Sequence, residues 1–354
     1  MTQPLVSILI PCRNSENTIR AAIDSALMQD YERLEVVVSD SGSTDGSVAI
    51  IESYDDERLR TYFHKDRSRL DNFRGLYYDY AKGDLCLNVD SDDYLTDPSY
   101  ISKAAAAFQA NPGTVLVFAK SQVLIDATGD VIEEPVNDRL PAVMDGKWLF
   151  SIFPKGHNLP SGTCLVDARL ARAVEIFRTD INSADWEAFL KLMLHGMVCF
   201  LKENVSVYRR HASNATKTLN VDWLLEGAGY VDHVYEYAIR EKFLPLKTLR
   251  RWRLQLLKRY FVKHMVRTRL LGESRAEAEL IKRLGNHHPD VLSAIMRDPR
   301  YQLFKLIHRW PPLVRLFFKY YVKQEAFHTD IVTTAVLPEH HGPYHGLKKS
   351  AKES

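Results

Sequence analysis

Four polar residues, Asp90-Ser91-Asp92-Asp93, directly follow the apolar run Leu85–Val89. A short apolar run bounded by polar residues predicts a buried strand, so these side chains would stand where the strand ends. Carboxylates at such close spacing repel one another and tend to attract a cation. Hard oxygen ligands suit Mg²⁺ or Mn²⁺, which keep coordination positions open for phosphate oxygens. The alternative interpretation is a solvated acidic turn or a helix cap.

A second polar loop, Ser39–Ser47, follows the apolar run Val36–Val38. Asp40 stands at the end of that predicted strand, where its carboxylate could accept a hydrogen bond from the imide N–H of a nucleobase. Two glycines in the loop permit tight turns and close approach of the backbone. The loop matches neither the phosphate-loop motif nor GxGxxG. The alternative is a strand-to-helix loop in which Asp45 caps the next helix.

Two later segments carry further charged candidates. Asp185 and Glu187 fall in the first turn of a helix predicted over Ser183–His195, where the helix dipole alone favours acidic residues. Arg209 and His211 follow a predicted strand, and there a basic surface turn is the alternative. These residues taken alone therefore do not establish a chemical role for either segment.

The elements that would position these residues alternate along the first part of the chain. Strands are predicted over Val6–Ile10, Val36–Val38, Leu59–Phe63, Leu85–Val89 and Val115–Ala119, and helices over Asn17–Met28, Ser47–Tyr54, Leu70–Lys82 and Ser99–Ala110. This alternation predicts an α/β fold in which helices cover a mainly parallel sheet. Ligands bind such sheets at the carboxyl ends of the strands, where both acidic loops fall. Later strands are expected over Gly162–Val166 and Val205–Tyr208.

Three segments, VSILIPCRNSENTI, VVVSDSGSTDGS and KGDLCLNVDSDDYL, occur in an order and spacing that resembles glycosyltransferase family 2. The resemblance covers residues 4–215 and is strongest in the first half. It implies the GT-A fold, with a Rossmann-like, mainly parallel central sheet, and sugar transfer with inversion. It also implies a nucleotide-sugar donor, usually a UDP-sugar.

The resemblance assigns roles to individual residues. It implies that Asp185 is the general base, that Asp92 and Asp90 bind the metal, and that His211 completes the metal site. Donor contacts are expected from Pro11, Arg13, Asn14, Asp40, Ser41, Arg69, Asn72, Asp90, Ser91 and Arg209. Asp40 would contact the base.

Some positions depart from the family pattern. Ser41 stands where a second Asp is common, Asp71 where a basic residue is usual, and Ala184 where a Glu is usual. Arg67 or Arg69 would replace the missing basic residue. His157, in the expected acceptor region, is a further candidate, although a lone loop histidine is usually just solvated.

Composition narrows the protein class. The chain has 354 residues and a net charge of +2. Its four cysteines lack CxxC spacing, and this spacing argues against a zinc framework or a disulfide scaffold. No signal peptide or membrane-spanning run is visible, so a reducing cytoplasm is the expected compartment. Residues 240–283 nevertheless carry a net charge of +10, which predicts an anionic partner for that block. Nucleic acid is not expected, because no known binding module is legible.

The C-terminal third is predicted to be helical. Lys247–Leu271 has an apolar stripe among basic residues, as does Leu313–Lys323, and both patterns are typical of helices in an anionic membrane interface. Peripheral contact with the inner face of the cell membrane would follow. The alternatives are that the stripes pack against the catalytic domain or against a second copy in a homo-oligomer.

These observations predict three regions. Residues 1–220 would be the GT-A catalytic domain, with a nucleotide-sugar half over 1–120 and an acceptor half over 121–220. Residues 221–327 would form a basic helical extension and 328–354 a flexible tail. The predicted activity is inverting, metal-dependent transfer of a sugar to a saccharide or lipid-linked acceptor in surface-glycan synthesis. A non-catalytic scaffold of the same fold and a sugar nucleotidyltransferase are the alternatives.

Overall fold

The structure is a computed structural model that describes residues 3–133, 137–211, 220–310 and 312–314. The chain divides into two compact units, the first comprising residues 1–150 and 159–212, and the second residues 151–158 and 213–354. The boundaries expected at residues 120, 220 and 327 remain predictions. Residues 315–327 and the predicted tail over 328–354 lie outside the described part of the chain.

The first unit is built on a mixed sheet. Its strands are β1 (Val6–Cys12), β2 (Leu34–Asp40), β3 (Leu59–Phe63), β4 (Leu85–Asn88), β5 (Tyr94–Leu95), β6 (Thr114–Ile125), β7 (Asp130–Glu133), β8 (Val143–Asp145), β9 (Leu165–Asp167) and β10 (Met197–Arg210). They are arranged in the order β3-β2-β1-β4-β9-β6-β10-β5, with β7 paired to β6 and β8 to β10. β1, β2 and β4 are almost wholly buried, as their continuous apolar sequences predict.

Helices of the first unit follow its strands. They are α1 (Ile19–Leu27), α2 (Ser47–Glu52), α3 (Arg69–Arg74), α4 (Tyr100–Ala110), α5 (Gly146–Ile152), α6 (Ala168–Ala173) and α7 (Ala184–Met193), of which α5 ends in the second unit. Apolar side chains of α1 and α4 pack with β1, β2 and β4 in one core. The α/β fold with a largely parallel central sheet is therefore confirmed.

Two elements differ from the sequence prediction. The helix expected over Leu70–Lys82 divides into α3 and a π-helix, Gly75–Tyr80, in which the Ala81 N–H donates to the Leu76 carbonyl over five residues. The strand expected over Gly162–Val166 is instead a 3₁₀ turn, Ser161–Thr163, followed by β9.

β9 lies antiparallel between β4 and β6, although the flanking strands were predicted to form a parallel series. Leu165 and Val166 of β9 pair with Leu87 and Cys86 of β4 on one side and with β6 on the other. A strand this short and this late in the chain leaves no alternation in the sequence, so its insertion could not be anticipated.

The second unit is helical, as predicted. It contains α8 (Val221–Arg240), α9 (Leu246–Leu270), α10 (Ser274–His287), α11 (Pro289–Met296) and α12 (Pro299–Ile307). Helix α8 starts at an N-cap, because the Asn220 side chain accepts hydrogen bonds from the N–H groups of Asp222 and Trp223. Within the described residues, no helix is long and apolar enough to cross a membrane.

The apolar stripe of α9 is buried within this unit. Leu249, Trp252, Leu257 and Phe261 are at most 2% exposed, and α9 packs against the other four helices of the unit. The prediction that this stripe enters a membrane interface is therefore wrong, because the same side chains form the core of the helical unit. Most of the second predicted stripe, residues 315–323, lies outside the described residues.

Many of the basic side chains on α9 have acidic partners. Arg253 pairs with Asp232 at 2.5 Å, Lys258 with Asp298 at 2.5 Å, and Arg269 with Glu277. Part of the +10 charge in this block therefore serves contacts between helices. Lys247, Arg250 and Arg251 are exposed, so electrostatic attraction to an anionic surface stays a prediction.

The four cysteines are all free and buried. Burial raises the pKa of Cys12 and of Cys86 to about 12, which keeps both thiols protonated and unreactive. Four free thiols agree with the prediction that the chain is not a disulfide scaffold.

Candidate active site

Three carboxylates converge where β4 ends. Asp90, Asp92 and Asp93 each offer an oxygen, and these atoms lie within 4.8 Å of one another. The turn is held by the Asp93 N–H, which donates to the Asp90 carbonyl at 2.9 Å. Asp90 and Asp92 are partly exposed and Asp93 is buried. A group of hard oxygens with this spacing fits a divalent cation such as Mg²⁺ or Mn²⁺.

The carboxylates of this cluster repel one another, and burial together with this repulsion raises the pKa values of Asp90 and Asp93. Burial and then the charge of Asp92 raise the pKa of Asp90 to about 6, against the opposing effect of Arg69. Burial and the two neighbouring carboxylates raise the pKa of Asp93 well above its usual range. Mutual repulsion of this kind is relieved when a cation binds.

Asp93 was not assigned a role from the sequence. Its carboxylate accepts a hydrogen bond from the Arg209 N–H at 2.8 Å, which joins the cluster to the end of β10. The position of Asp93 in the acidic run was the sequence feature that pointed to it, but the run alone does not indicate which of its carboxylates converge.

His211 lies beside the cluster, as expected from the sequence. Its Nε2 is 2.8 Å from an oxygen of Asp92, and both side chains are about one quarter exposed. An imidazole nitrogen in contact with a candidate metal-binding carboxylate is suited either to join the coordination sphere or to orient that carboxylate. The structure thus brings Asp90, Asp92 and His211 together, with Asp93 as an addition.

A small open cleft lies between Asp90 of the acidic cluster and the start of α7. Asp90 and Asp185 both line it, although they are far apart in the sequence. Burial raises the pKa of the Asp185 carboxyl, and the positive charge of Arg69, another lining residue, opposes this effect. A carboxylate in such surroundings binds a proton more readily than an ordinary aspartate, which suits a general base.

Glu187 differs from Asp185 although both lie in the first turn of α7. Glu187 is 3% exposed, pairs with Lys191 and accepts a hydrogen bond from the Thr179 hydroxyl at 2.6 Å. Its oxygens are thus committed to packing the helix against the preceding loop. The sequence alone could not separate these two carboxylates.

The Ser39–Ser47 loop is held by its own polar groups. Asp40 is 1% exposed, and one carboxylate oxygen accepts from the N–H groups of Gly42 and Ser43 at 2.9 Å each. Gly42 has a φ of +101°, and a Cβ there would overlap the carbonyl oxygen of Lys65. This explains why a glycine is needed two residues after Asp40.

Asn14, Ser91 and Asn72 connect the polar loops. Asn14 accepts from the Thr44 N–H at 2.8 Å, and its own N–H donates to Ser43. Ser91 is hydrogen-bonded to Ser15 at 2.7 Å, and the buried Asn72 donates to the Ser39 carbonyl at 2.8 Å. These predicted donor-binding residues therefore shape the loops around the carboxyl ends of β1, β2 and β4.

The remaining predicted residues occupy different places. Pro11 lies within β1 beyond the point at which β4 stops pairing, so its missing N–H disrupts no ladder with that strand. Ser41 donates to the Cys12 carbonyl, and Arg13 contacts Asp66 at 3.3 Å with half of its side chain exposed. Arg209 lies 3.7 Å from Asp126. His157 belongs to the second unit and is not among the residues that line the cleft.

Known proteins resemble the chain in sequence and in fold. Residues 7–138 match the model of glycosyl transferase family 2. A protein of Rickettsia typhi, named an uncharacterized glycosyltransferase, is 26% identical over 217 residues, which cover 61% of this chain and 67% of the relative. TarS 1-349 of S. aureus, solved in complex with UDP-GlcNAc, has a TM-score of 0.63 at 17% identity over 82% of this chain and 83% of its own. The mannosyltransferase PcManGT from Pyrobaculum calidifontis, solved with GDP-Man and Mn²⁺, has a TM-score of 0.51 at 17% identity over 87% and 88%.

Proposed function

Because this chain is a family 2 glycosyltransferase with a GT-A fold, we propose that it transfers a sugar from a UDP-sugar to a hydroxyl group with inversion. One observation carries the proposal: Asp90 of the acidic cluster at the end of β4 and Asp185 at the start of α7 border a single cleft. A substrate bound there would lie between a carboxylate of the proposed cation site and the proposed proton acceptor.

The acidic cluster would hold Mn²⁺ or Mg²⁺ through Asp92 and Asp90, assisted by Asp93 and His211. The residues fit such an ion because three carboxylates converge and burial makes their shared charge unfavourable. When bound, a divalent ion supplies positive charge that offsets the charge developing on the leaving diphosphate. PcManGT, of the same fold, was solved with Mn²⁺, which supports this proposal.

Asp185 would act as the general base. The acceptor hydroxyl oxygen attacks the anomeric carbon as the bond from that carbon to the diphosphate oxygen breaks, and Asp185 takes the hydroxyl proton. The raised pKa of its carboxyl favours proton uptake, and the positive charge of Arg69 limits how far that pKa rises. Attack opposite the leaving group inverts the configuration at the carbon.

The uridine diphosphate would bind where the loops after β1 and β2 meet. Asp40 would position the base together with Arg13, Asn14 and Ser41, and the neighbouring Asn72 would support Asp40 through the Ser39 carbonyl. Complex formation of TarS with UDP-GlcNAc supports uridine as the nucleoside. The acceptor proposed is a saccharide or lipid-linked glycan.

Release of UDP tests the proposal directly. The full-length protein is incubated with UDP-glucose, UDP-galactose or UDP-N-acetylglucosamine, with a saccharide mixture and Mn²⁺, and free UDP is measured by a coupled assay. We expect UDP release from at least one donor, lost on addition of EDTA and restored by excess Mn²⁺. Release that is unaffected by EDTA would contradict the metal assignment. Absence of UDP binding and release with every donor would contradict the choice of UDP.

A further inference from the structure

Two amide atoms in the cleft have no hydrogen-bond partner among the described residues. Asn88, the last residue of β4, is 3% exposed, and its Oδ1 accepts no hydrogen bond. Asn182, two residues before α7, has an Nδ2 that donates none. Both residues line the same cleft as Asp90 and Asp185. Buried polar atoms are nearly always satisfied, so two exceptions in one cleft require an explanation.

The orientation of the Asn88 amide follows from its neighbour. Asn88 Nδ2 donates to the Asp90 carboxylate at 3.1 Å. The reversed amide would place its oxygen against an ionised carboxylate, where two acceptors would repel each other. The oxygen of Asn88 is therefore the atom presented for another partner, and that partner must be a donor.

Part of the cleft wall is aromatic. Phe73 and Phe177 stack with their ring centroids 5.1 Å apart, and both line the cleft. Phe177 has a φ of 59°, a left-handed conformation that is rare for an aromatic residue and is typical of functional sites. Ligand pockets are typically lined by apolar and aromatic side chains with a few polar groups that fix the ligand, and this cleft has both.

We propose that Asn88 and Asn182 bind hydroxyl groups of the sugar that is transferred, with Asn88 Oδ1 accepting and Asn182 Nδ2 donating. The assignment rests on the proposed function, since Asp90 marks the diphosphate side of the cleft and Asp185 the acceptor side. The sugar would lie between these two ends, in the cleft that both amides line. Hydroxyl groups both donate and accept, so one sugar can satisfy the two amides together.

This assignment makes a donor that lacks the bound hydroxyl a poor substrate. The amides would then be left without partners in the complex, and a site built to bind a hydroxyl rejects an analogue without it. Neither amide would contact the nucleotide. Sugar selectivity and UDP affinity should therefore respond differently to substitution at these positions.

The experiment combines two variants with donor analogues. Wild type, Asn182→Ala and Asn88→Ala are assayed with the UDP-sugar that wild type uses best and with its monodeoxy derivatives, and UDP is titrated as an inhibitor. Asn111→Ala is the matched control, because Asn111 bonds the Ala107 carbonyl at the end of α4 and does not line the cleft.

We expect kcat/KM for the full donor to fall about tenfold in Asn182→Ala, the effect of one lost hydrogen bond, with UDP inhibition unchanged. For wild type, kcat/KM with at least one monodeoxy donor should be about tenfold lower than with the full donor. For the variant, kcat/KM should be the same with that monodeoxy donor as with the full donor. Asn88→Ala should show the same loss of discrimination, although its contact with Asp90 adds a loss of metal affinity. Asn111→Ala should behave as wild type.

The outcomes separate the two proposals. If wild type releases UDP and both variants keep every penalty for a missing hydroxyl, the amide assignment is overturned and the proposed function stands. If wild type neither binds UDP nor releases it from any UDP-sugar, the proposed function fails and this inference fails with it. Equal loss of UDP inhibition and of donor use in Asn182→Ala would also overturn the assignment, because it would indicate a structural role.

Discussion

Replacing Asp90 with asparagine should stabilise the metal-free protein. The pKa of Asp90 is raised from 3.8 to about 6, mainly by burial and by Asp92. One pKa unit corresponds to about 1.4 kcal/mol, so ionised Asp90 lowers the free energy of unfolding by about 3 kcal/mol at neutral pH. Asp92 and Asp93 share the repulsion, and part of it remains after the substitution. We therefore expect Asp90→Asn to gain about 1–3 kcal/mol at a pH of about 7.

The pH dependence has a definite sign. Between pH 3.8 and about 6 the folded protein holds a proton that the unfolded chain has lost, so the free energy of unfolding falls as pH rises through this window. Below it Asp90 is neutral in both states and the variant gains nothing. The difference between variant and wild type should thus be near zero at a pH of about 3 and largest at about 7.

Urea unfolding in EDTA, followed by tryptophan fluorescence, measures this difference, with the exposed Asp55→Asn as the control. Added Mn²⁺ should stabilise wild type and reverse the order, because a ligand that binds only the folded state adds to its stability. A variant that is no more stable than wild type at neutral pH, or whose gain is the same at both pH values, would refute the electrostatic reasoning.

Four further outcomes follow from the structure. Asp185→Asn should lower kcat by about 10²–10⁴-fold while UDP inhibition stays unchanged, and wild-type turnover would exclude Asp185 as the base. Gly42→Ala should destabilise the protein and weaken UDP binding more than Gly113→Ala, because both glycines have positive φ but only Gly42 faces a backbone oxygen. Thermal unfolding of the two variants compares their stability, and equal effects would contradict this account. Glu187→Ala should lose about 3–5 kcal/mol of stability, measured in urea, because it removes the partner of the buried Lys191, whereas Glu187→Leu with Lys191→Met should lose less. Full-length protein should not sediment with neutral vesicles, and any retention on anionic vesicles should vanish at high salt; salt-resistant binding would show that apolar side chains insert after all.

Local patterns in the sequence predicted the first half of the fold well. Val6–Ile10, Val36–Val38 and Leu85–Val89 are continuous apolar runs because their strands are buried on both faces, so each could be recognised alone. The acidic residues after the last of these runs were placed correctly for the same reason. Convergence of Asp90, Asp92 and His211 was expected only from the family resemblance, since His211 is remote in the sequence.

Features that depend on distant pairing were not accessible. β9 gains its place from partners on both sides, and the roles of Asp185 and Glu187 are distinguished only by what packs against each. The stripe on α9 has the same pattern whether lipid or protein covers it, because both are apolar. The unsatisfied amides of Asn88 and Asn182 are likewise visible only when their surroundings are known.

The antiparallel insertion of β9 has a consequence for dissecting the protein. β9 comes from the later part of the sequence yet supplies the only partner of β4 on that side within the described residues, and β6 continues without interruption across residue 120. A fragment that ends at residue 120 would expose the hydrogen-bonding edge of β4 and truncate β6. Exposed apolar edges promote association between molecules, so such a fragment should aggregate instead of retaining nucleotide affinity. The two halves of the sheet thus form one folding unit, and chimeras between relatives should exchange both together.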